Sequence, residues 1–285
     1  MPSTDHVPSA SVSPTGARHA ARTASTTRAP STTASGAPAA PGTPGTPGAA
    51  ILRLRGVAKV YGSGDAEVRA VDGVDVDIAA GEFTAIMGPS GSGKSTMLHL
   101  LAGLDTPTSG QVLIEDTDVT GLDDDALTRL RRDRIGFVFQ SFNLVPTLTA
   151  RDNILLPLTL AGRSPDHALF DQVVDALGLR ARLTHRPSEL SGGQQQRVAI
   201  ARALVTHPAV IVADEPTGNL DSHASREVLG LLRTAVDRLG QSVIMVTHDP
   251  AGAAAADRVL VMRDGRLVED LRGTDVTADR LRELV

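Results

Sequence analysis

One stretch of the chain limits what it can fold into more than any other: Gly88-Pro89-Ser90-Gly91-Ser92-Gly93-Lys94-Ser95. It follows the apolar, strand-like run FTAIM (83–87) and leads into TMLHLLAG, which begins at Thr96 and reads as a helix. This is the G-x-x-x-x-G-K-[ST] pattern in the strand–loop–helix setting that the pattern requires. Its glycines let backbone N–H groups curl around phosphate oxygens with no side chain in the way. The helix that follows adds the positive end of its dipole. Lys94 can then reach the β- and γ-phosphates of a nucleoside triphosphate, and the Ser95 hydroxyl is placed to ligate Mg²⁺. Many machines share such a loop, so the remainder of the chain has to discriminate among them.

The body from Ile51 onward alternates strands with helices. Strand-like runs stand at 51–55, 74–78, 83–87, 111–114, 135–139, 209–213, 242–246 and 258–262, and Asp264-Gly265 reads as a hairpin turn before RLVE. VDVDI (74–78) alternates as a strand with one wet face should, whereas AVIVA (209–213) is apolar throughout, as a strand covered on both faces should be. Helical patterns fall at 93–102, 124–132, 166–178, 192–206 and 222–239, with Leu169, Val173 and Leu177 forming one apolar stripe. This rhythm predicts an α/β fold with a largely parallel central sheet. Between about 141 and 205 the pattern is mainly helical, which predicts an inserted helical subdomain. Residues 1–50 are a different polymer, rich in Ala, Ser, Thr and Pro, carrying eight of the 17 prolines and ending in PGTPGTPG before the last alanines. So little large apolar surface cannot offset the entropy of ordering a backbone, so the expectation is a disordered tail. An organellar transit peptide is the alternative reading, because the tail holds Ser and Arg and little acid; its Pro and Gly density opposes the required amphipathic helix.

Composition excludes several classes. Without cysteine there is no disulfide scaffold and no thiolate metal site. A net charge of -5, five phenylalanines, one tyrosine and no tryptophan argue against a nucleic-acid partner. No stretch approaches the roughly 18 consecutive apolar residues of a spanning helix, so a membrane role would come through a partner.

Two further clusters bear on chemistry. AVIVA runs into Asp214-Glu215-Pro216. A carboxylate at the end of a buried parallel strand lies beside the phosphate loop at the ligand edge, so Asp214 is positioned to hold Mg²⁺. Glu215 is one residue on and can polarise a water attacking the γ-phosphate. Leu190-Ser191-Gly192-Gly193-Gln194 precedes the helical run QQRVAIARAL. It reads either as an ordinary capped helix start or as a second anion cradle. One phosphate loop has no use for a second cradle about a hundred residues away, but a second copy of the chain does.

LSGGQ together with GPSGSGKS, DEP and a later histidine resembles the nucleotide-binding subunit of an ATP-binding cassette (ABC) transporter over about 51–270. FTAIMGPSGSGKST, GFVFQSFNLVPTLTARDNI, ADEPTGNLDS and VTHD are most similar to the subfamily of macrolide and peptide exporters, lipoprotein release and the cell-division complex. The resemblance implies a P-loop NTPase cassette: a parallel-sheet core, an antiparallel β subdomain and the inserted helical subdomain, within 51–285. It implies ATP and Mg²⁺ as ligands, with Gly88 to Thr96 at the phosphates and Ser95, Gln140 and Asp214 at the metal. It also implies that Glu215, His248, Gln140 and Lys94 serve hydrolysis, with His248 as the switch histidine at the γ-phosphate. Tyr61 matches the aromatic that stacks on adenine, although an edge-strand tyrosine is an equal reading of its position. Asp221 matches the aspartate that couples two sites across a dimer. Lys59, two residues before Tyr61, is expected to be a solvated strand residue.

The partners implied are a second copy of the chain and an integral membrane permease on a separate chain, placing the protein peripherally at the cytoplasmic face of the membrane. The permease would dock near SFNLVPTLTARDNILLPL, so Phe142, Leu144 and Val145 should include partly exposed apolar positions; the alternative is local core. Export, or lipoprotein or peptide handling, is the implied task. A regulatory ATPase that signals through a membrane partner to a cell-wall hydrolase, moving no cargo, would share the same chemistry. Translation-type and repair-type cassettes are disfavoured by the single cassette and the lack of a heptad run.

Overall fold

Strand-period alternation and helical stripes sort the chain into two sheets and their covering helices. The computed structural model describes residues 49–285; the expected tail lies outside the described residues, save that Ala50 already belongs to the first strand. In chain order come β1 (Ala50–Tyr61), β2 (Val68–Ala79), β3 (Phe83–Met87), α1 (Lys94–Leu101), β4 (Ser109–Ile114) and β5 (Thr117–Asp118). Next are α2 (Asp124–Arg134), β6 (Ile135–Phe139), α3 (Ala150–Leu160), α4 (His167–Ala176) and α5 (Gly192–Leu204). The remainder is β7 (Val210–Asp214), α6 (Ser222–Leu239), β8 (Ser242–Val246), α7 (Pro250–Ala253), β9 (Arg258–Arg263), β10 (Arg266–Arg272) and α8 (Ala278–Leu284).

A six-stranded sheet in the order β10-β9-β3-β8-β7-β6 forms the centre, and a four-stranded sheet in the order β2-β1-β4-β5 lies over it. In the central sheet β9, β3, β8, β7 and β6 run parallel, and β10 returns antiparallel through a two-residue hairpin. The hairpin residues Asp264 and Gly265 have φ of 50° and 76°, the left-handed pair of a type I′ turn.

Apolar side chains of the central strands point alternately to two cores. Ile211, Ala213, Val243 and Met245 join the helices α3 to α6, while Val210, Val212, Ile244 and Val246 join β1, β2, β4 and α1. Both faces are therefore covered, which is why these strands read as continuous apolar runs. Each such Val, Ile or Leu contributes roughly 1.5–3 kcal/mol by leaving water. The antiparallel sheet has one core face, and VDVDI alternates buried Val74, Val76 and Ile78 with exposed Asp75 and Asp77.

Parallel strands bring their carboxyl ends to one edge. The phosphate-loop sequence follows β3, Thr247-His248 follows β8, Asp214 ends β7 and Gln140 follows β6. These strands are consecutive neighbours, in the order β3-β8-β7-β6. At about 4.8 Å per strand, the row from loop to Gln140 is about 14 Å long.

Candidate functional site

The loop after β3 is shaped by close backbone approaches. A Cβ on Gly93 (φ 98°) would sit 1.9 Å from the Ala70 carbonyl oxygen, and one on Gly88 would sit 2.2 Å from that of Met262. Glycine is therefore required at both positions. Ser92 accepts the Gly265 N–H at its carbonyl and is buried, which ties the loop to the β9–β10 turn. Pro89, Ser90 and Gly91 form the exposed crest, with backbone N–H groups on Ser90 and Gly91, and α1 begins at Lys94, Ser95 and Thr96. The Lys94 side chain folds back and donates to the Pro89 carbonyl at 2.8 Å. Burial pulls its pKa down, and the carboxylates of Glu215 and Asp214 act in the opposite direction.

Asp214 stands half-buried at the end of β7. Burial pushes its pKa above the ordinary carboxylate value; adjacent Glu215 adds to this, and His99 and Lys94 oppose it. Glu215 leaves the strand with φ 44°, a conformation unusual for a residue with a side chain, while its N–H donates to the Val246 carbonyl at 3.0 Å. Such strain persists where surrounding structure over-determines it. Here it turns the carboxylate toward β8, where Glu215 Oε1 lies 3.0 Å from His248 Nδ1. Gln140 donates through Nε2 to Asn219 Oδ1 at 3.1 Å, and the Asn219 amide donates back to the Gln140 carbonyl. That leaves the Gln140 amide oxygen as the end available to a cation.

Ser191 is not brought to this row. It caps α5, accepting the Gln194 N–H while Gln194 Oε1 accepts the Ser191 N–H, a capping box. Cβ atoms built on Gly192 and Gly193 would meet Leu220, Phe142 and Ala224 rather than the phosphate loop. Asp221 caps α6 by accepting from His223 and Ala224, and the N–H groups of Ala224 and His223 hold its carboxyl below the usual range.

Tyr61 ends β1, an interior strand of its sheet rather than an edge. The residue is 42% exposed and its hydroxyl donates to Asp105 at 2.7 Å. Lys59 is not the solvated residue expected: its ammonium contacts Asp105 at 2.5 Å and the Thr106 carbonyl at 2.8 Å, and lies 5.0 Å from the centre of the Tyr61 ring.

Sequence reading missed another participant. Buried Gln196 donates to the Pro216 carbonyl at 2.7 Å and more weakly to that of Phe139, joining α5 to the exits of β7 and β6. The helical pattern of QQQRVAIA gives no sign that one glutamine turns inward. Phe142, Leu144 and Val145 are all partly exposed, as expected. Phe142 and Asn143 have φ of 59° and 49°, and Arg202 donates to both carbonyls, so this turn is braced. Beside it a largely apolar groove of about 430 Å³ is lined by Phe137, Phe139, Asn143, Pro157 and Arg202 among others.

A parallel sheet with a glycine cradle on one turn and acids on the next strand but one is the architecture of a P-loop nucleoside triphosphatase. Comparison with known proteins narrows this. A family model described as "ABC transporter" matches residues 71–218. The lipoprotein-releasing system ATP-binding protein LolD of Anaeromyxobacter dehalogenans is 50% identical over 222 residues, which cover 77% of this chain and 93% of LolD. The macrolide export ATP-binding/permease protein MacB of Marinobacter nauticus is also 50% identical over 222 residues, but the match spans only 34% of its length. A dimeric ATP-binding cassette solved in a post-hydrolysis state with ADP and Pi superposes with a TM-score of 0.70 at 42% identity, covering 78% of this chain and 98% of that one. The chain belongs to the ABC transporter family. It is an ATP-binding cassette with the ATPase fold of that family.

Proposed function

We propose that two copies of the chain pack head-to-tail around two ATP molecules and drive an integral membrane permease that handles an exported compound, peptide or lipoprotein. The cassette would be residues 51–285, with its helical subdomain at about 141–205. The observation that carries this reading is the separation of the two anion cradles. The loop at Gly88 to Thr96 lies at the sheet edge, whereas Ser191-Gly192-Gly193 opens at the start of α5 among Phe142, Leu220 and Ala224. A C2 partner would lay its Ser191, Gly192, Gly193 and Gln194 across the nucleotide held by the first chain, with Asp221 of each chain near the seam.

In each site Tyr61 would take the adenine face and Lys94 the β- and γ-phosphates. The oxygen set of Ser95, Gln140 and Asp214 suits Mg²⁺, which prefers hydroxyl, amide and carboxylate oxygens, and a half-buried carboxylate with a raised pKa gains from a cation. Mg²⁺ held there would neutralise charge on the phosphates. Glu215 would orient and deprotonate the attacking water, and His248 would hold the Glu215 carboxylate and contact the γ-phosphate. Loss of that phosphate removes the group both halves grip, so the dimer opens. The braced turn and groove beside Phe139 would receive a cytoplasmic element of the permease. No helix among the described residues is long and apolar enough to cross a membrane, which is consistent with a peripheral position through that partner.

Glu215→Gln keeps the shape and removes the base. ATP hydrolysis should fall by about 10²–10⁴-fold while ATP binding persists, leaving long-lived ATP dimers in size-exclusion chromatography. Turnover at the parent rate would remove Glu215 from the catalytic role.

A further inference from the structure

The adenine end of the site holds a cluster that the catalytic reading does not use. Tyr61, Lys59 and Asp105 come from the end of β1 and from the loop after α1. Their mutual contacts are a phenol-to-carboxylate hydrogen bond of 2.7 Å and an ammonium-to-carboxylate contact of 2.5 Å. Lys59 also donates to the Thr106 carbonyl, and the Thr106 N–H donates to Asp105, so the carboxylate is itself held in place. Thr108 adds two links between the strand and the loop: its N–H donates to the Ala58 carbonyl, and its hydroxyl accepts the Val60 N–H.

An exposed tyrosine at a strand end turns about χ1 and χ2 unless its tip is fixed, and a stacking platform loses affinity by being ordered only when ligand arrives. Here the tip is fixed by a charged acceptor. The Lys59 ammonium 5.0 Å from the ring centre draws on the π electrons from one side. It thereby occupies that side, and Tyr61 is 42% exposed, so ring surface remains for a base. A ring polarised by a cation on one face is the better partner for an electron-rich purine on the other.

We propose that Asp105 and Lys59 are positioning residues that preorganise Tyr61 as a one-faced platform for an electron-rich purine base. The proposal rests on the reading that Tyr61 stacks on adenine. Neither residue touches the phosphates, so the pair sets affinity for the base and leaves the triphosphate end alone.

The full chain is titrated calorimetrically with MgATP and, separately, with magnesium tripolyphosphate, which has the phosphates and no base. Asp105→Ala should weaken MgATP binding about tenfold, the worth of a charged hydrogen bond, and leave tripolyphosphate binding unchanged. In a Tyr61→Phe background, which keeps the ring and lacks the hydroxyl, Asp105→Ala should add little. Lys59→Met keeps the aliphatic stem and removes the cation, and should weaken MgATP about threefold with tripolyphosphate again unaffected. It carries the test alone should Asp105→Ala fail to fold. Equal losses for both ligands, an undiminished Asp105 effect in Tyr61→Phe, or unchanged MgATP binding in both variants would overturn the proposal. Tyr61→Ala separates the two layers. If it spares MgATP relative to tripolyphosphate, the stacking reading itself fails; if it does not, and the Asp105 and Lys59 variants do nothing, only the positioning role fails.

Discussion

Gly93 shows how much of the site is fixed by backbone fit before any side chain acts. Its φ of 98° and the Ala70 carbonyl at 1.9 Å from a built Cβ leave an alanine two separate penalties. Gly93→Ala should cost the fold on the order of 2–4 kcal/mol, from strain and from displaced backbone. Urea unfolding should show that loss, and nucleotide titration should show weakened MgATP binding, because Lys94 starts α1 directly from this residue. Gly93 and Lys94 were legible from the fixed spacing of the glycine-rich motif and Asp214 from its place at the end of an apolar strand, whereas His248 carried meaning only through the family resemblance. Asp105 was not legible. It meets Tyr61 across 44 residues of sequence, and a single acid in a loop after a helix carries no local mark of that meeting. Lys59 was misread for the same reason: its partner belongs to a different element, so an interior contact looked like a solvated side chain.

At the scale of elements, strands were read more fully than their lengths. β1 was expected at 51–55 but runs to Tyr61. Gly56, with φ 55°, looks like a strand end in sequence, yet the pairing with β2 shifts register between Leu54 and Val57 and then continues. A bulge lets the strand bend and go on, and it is this continuation that carries β1 to Tyr61. α3 buries Ala150, Ile154 and Leu158 at i, i+4 and i+8, but Pro157 inside it and apolar residues on its other faces hide that stripe in sequence, so only its general helical setting could be anticipated. The two sheets are joined by a buried arginine that no pattern announces: it ion-pairs within the central sheet and hydrogen-bonds across to the other. Arg258 of β9, 4% exposed, donates twice to Asp270 of β10 at 2.7 Å and also to the Asp77 carbonyl of β2. The hydrogen-bonded Arg258 guanidinium holds the Asp270 carboxyl below the ordinary carboxylate value against the opposing effect of burial. A depressed folded-state pKa stabilises above the unfolded value, and that stability is lost as pH falls through the folded one. Asp270→Asn should therefore lower stability by about 1 kcal/mol or less at neutral pH, since solvent screens the half-exposed carboxylate, with the gap from the parent closing as pH drops below the usual carboxylate range. Thermal unfolding across pH 3 to 7 checks this, where roughly 3 marks the foot of that range. A gap independent of pH would assign the loss to packing.

At the scale of the whole molecule, the proposed second cradle would make a demand that one chain does not meet. The residues gathered at the sheet edge include a phosphate loop, two acids, a glutamine and a histidine, and the capped start of α5 faces elsewhere. If the nucleotide lies between chains, each site takes its loop from one copy and Ser191 from the other. Lys94→Ala then spoils the loop half of both sites, and Ser191→Arg spoils the other half of both by placing a long cation where the γ-phosphate would be gripped. Each variant alone should lack ATP-dependent dimers and hydrolysis. In a mixture, a heterodimer has one site built from the intact loop of the Ser191→Arg chain and the intact α5 start of the Lys94→Ala chain. Its second site combines both defects. Mixing the two inactive proteins should therefore restore ATP-dependent dimers and measurable ATPase, a result that follows from isologous C2 pairing and not from sites complete within one chain. Adding the Glu215→Gln change to the Ser191→Arg chain should abolish the recovered turnover, because that chain supplies the base of the one intact site. Adding it to the Lys94→Ala chain should spare turnover, because its own loop is already disabled. Recovery that is indifferent to which chain carries Glu215→Gln would contradict the head-to-tail arrangement.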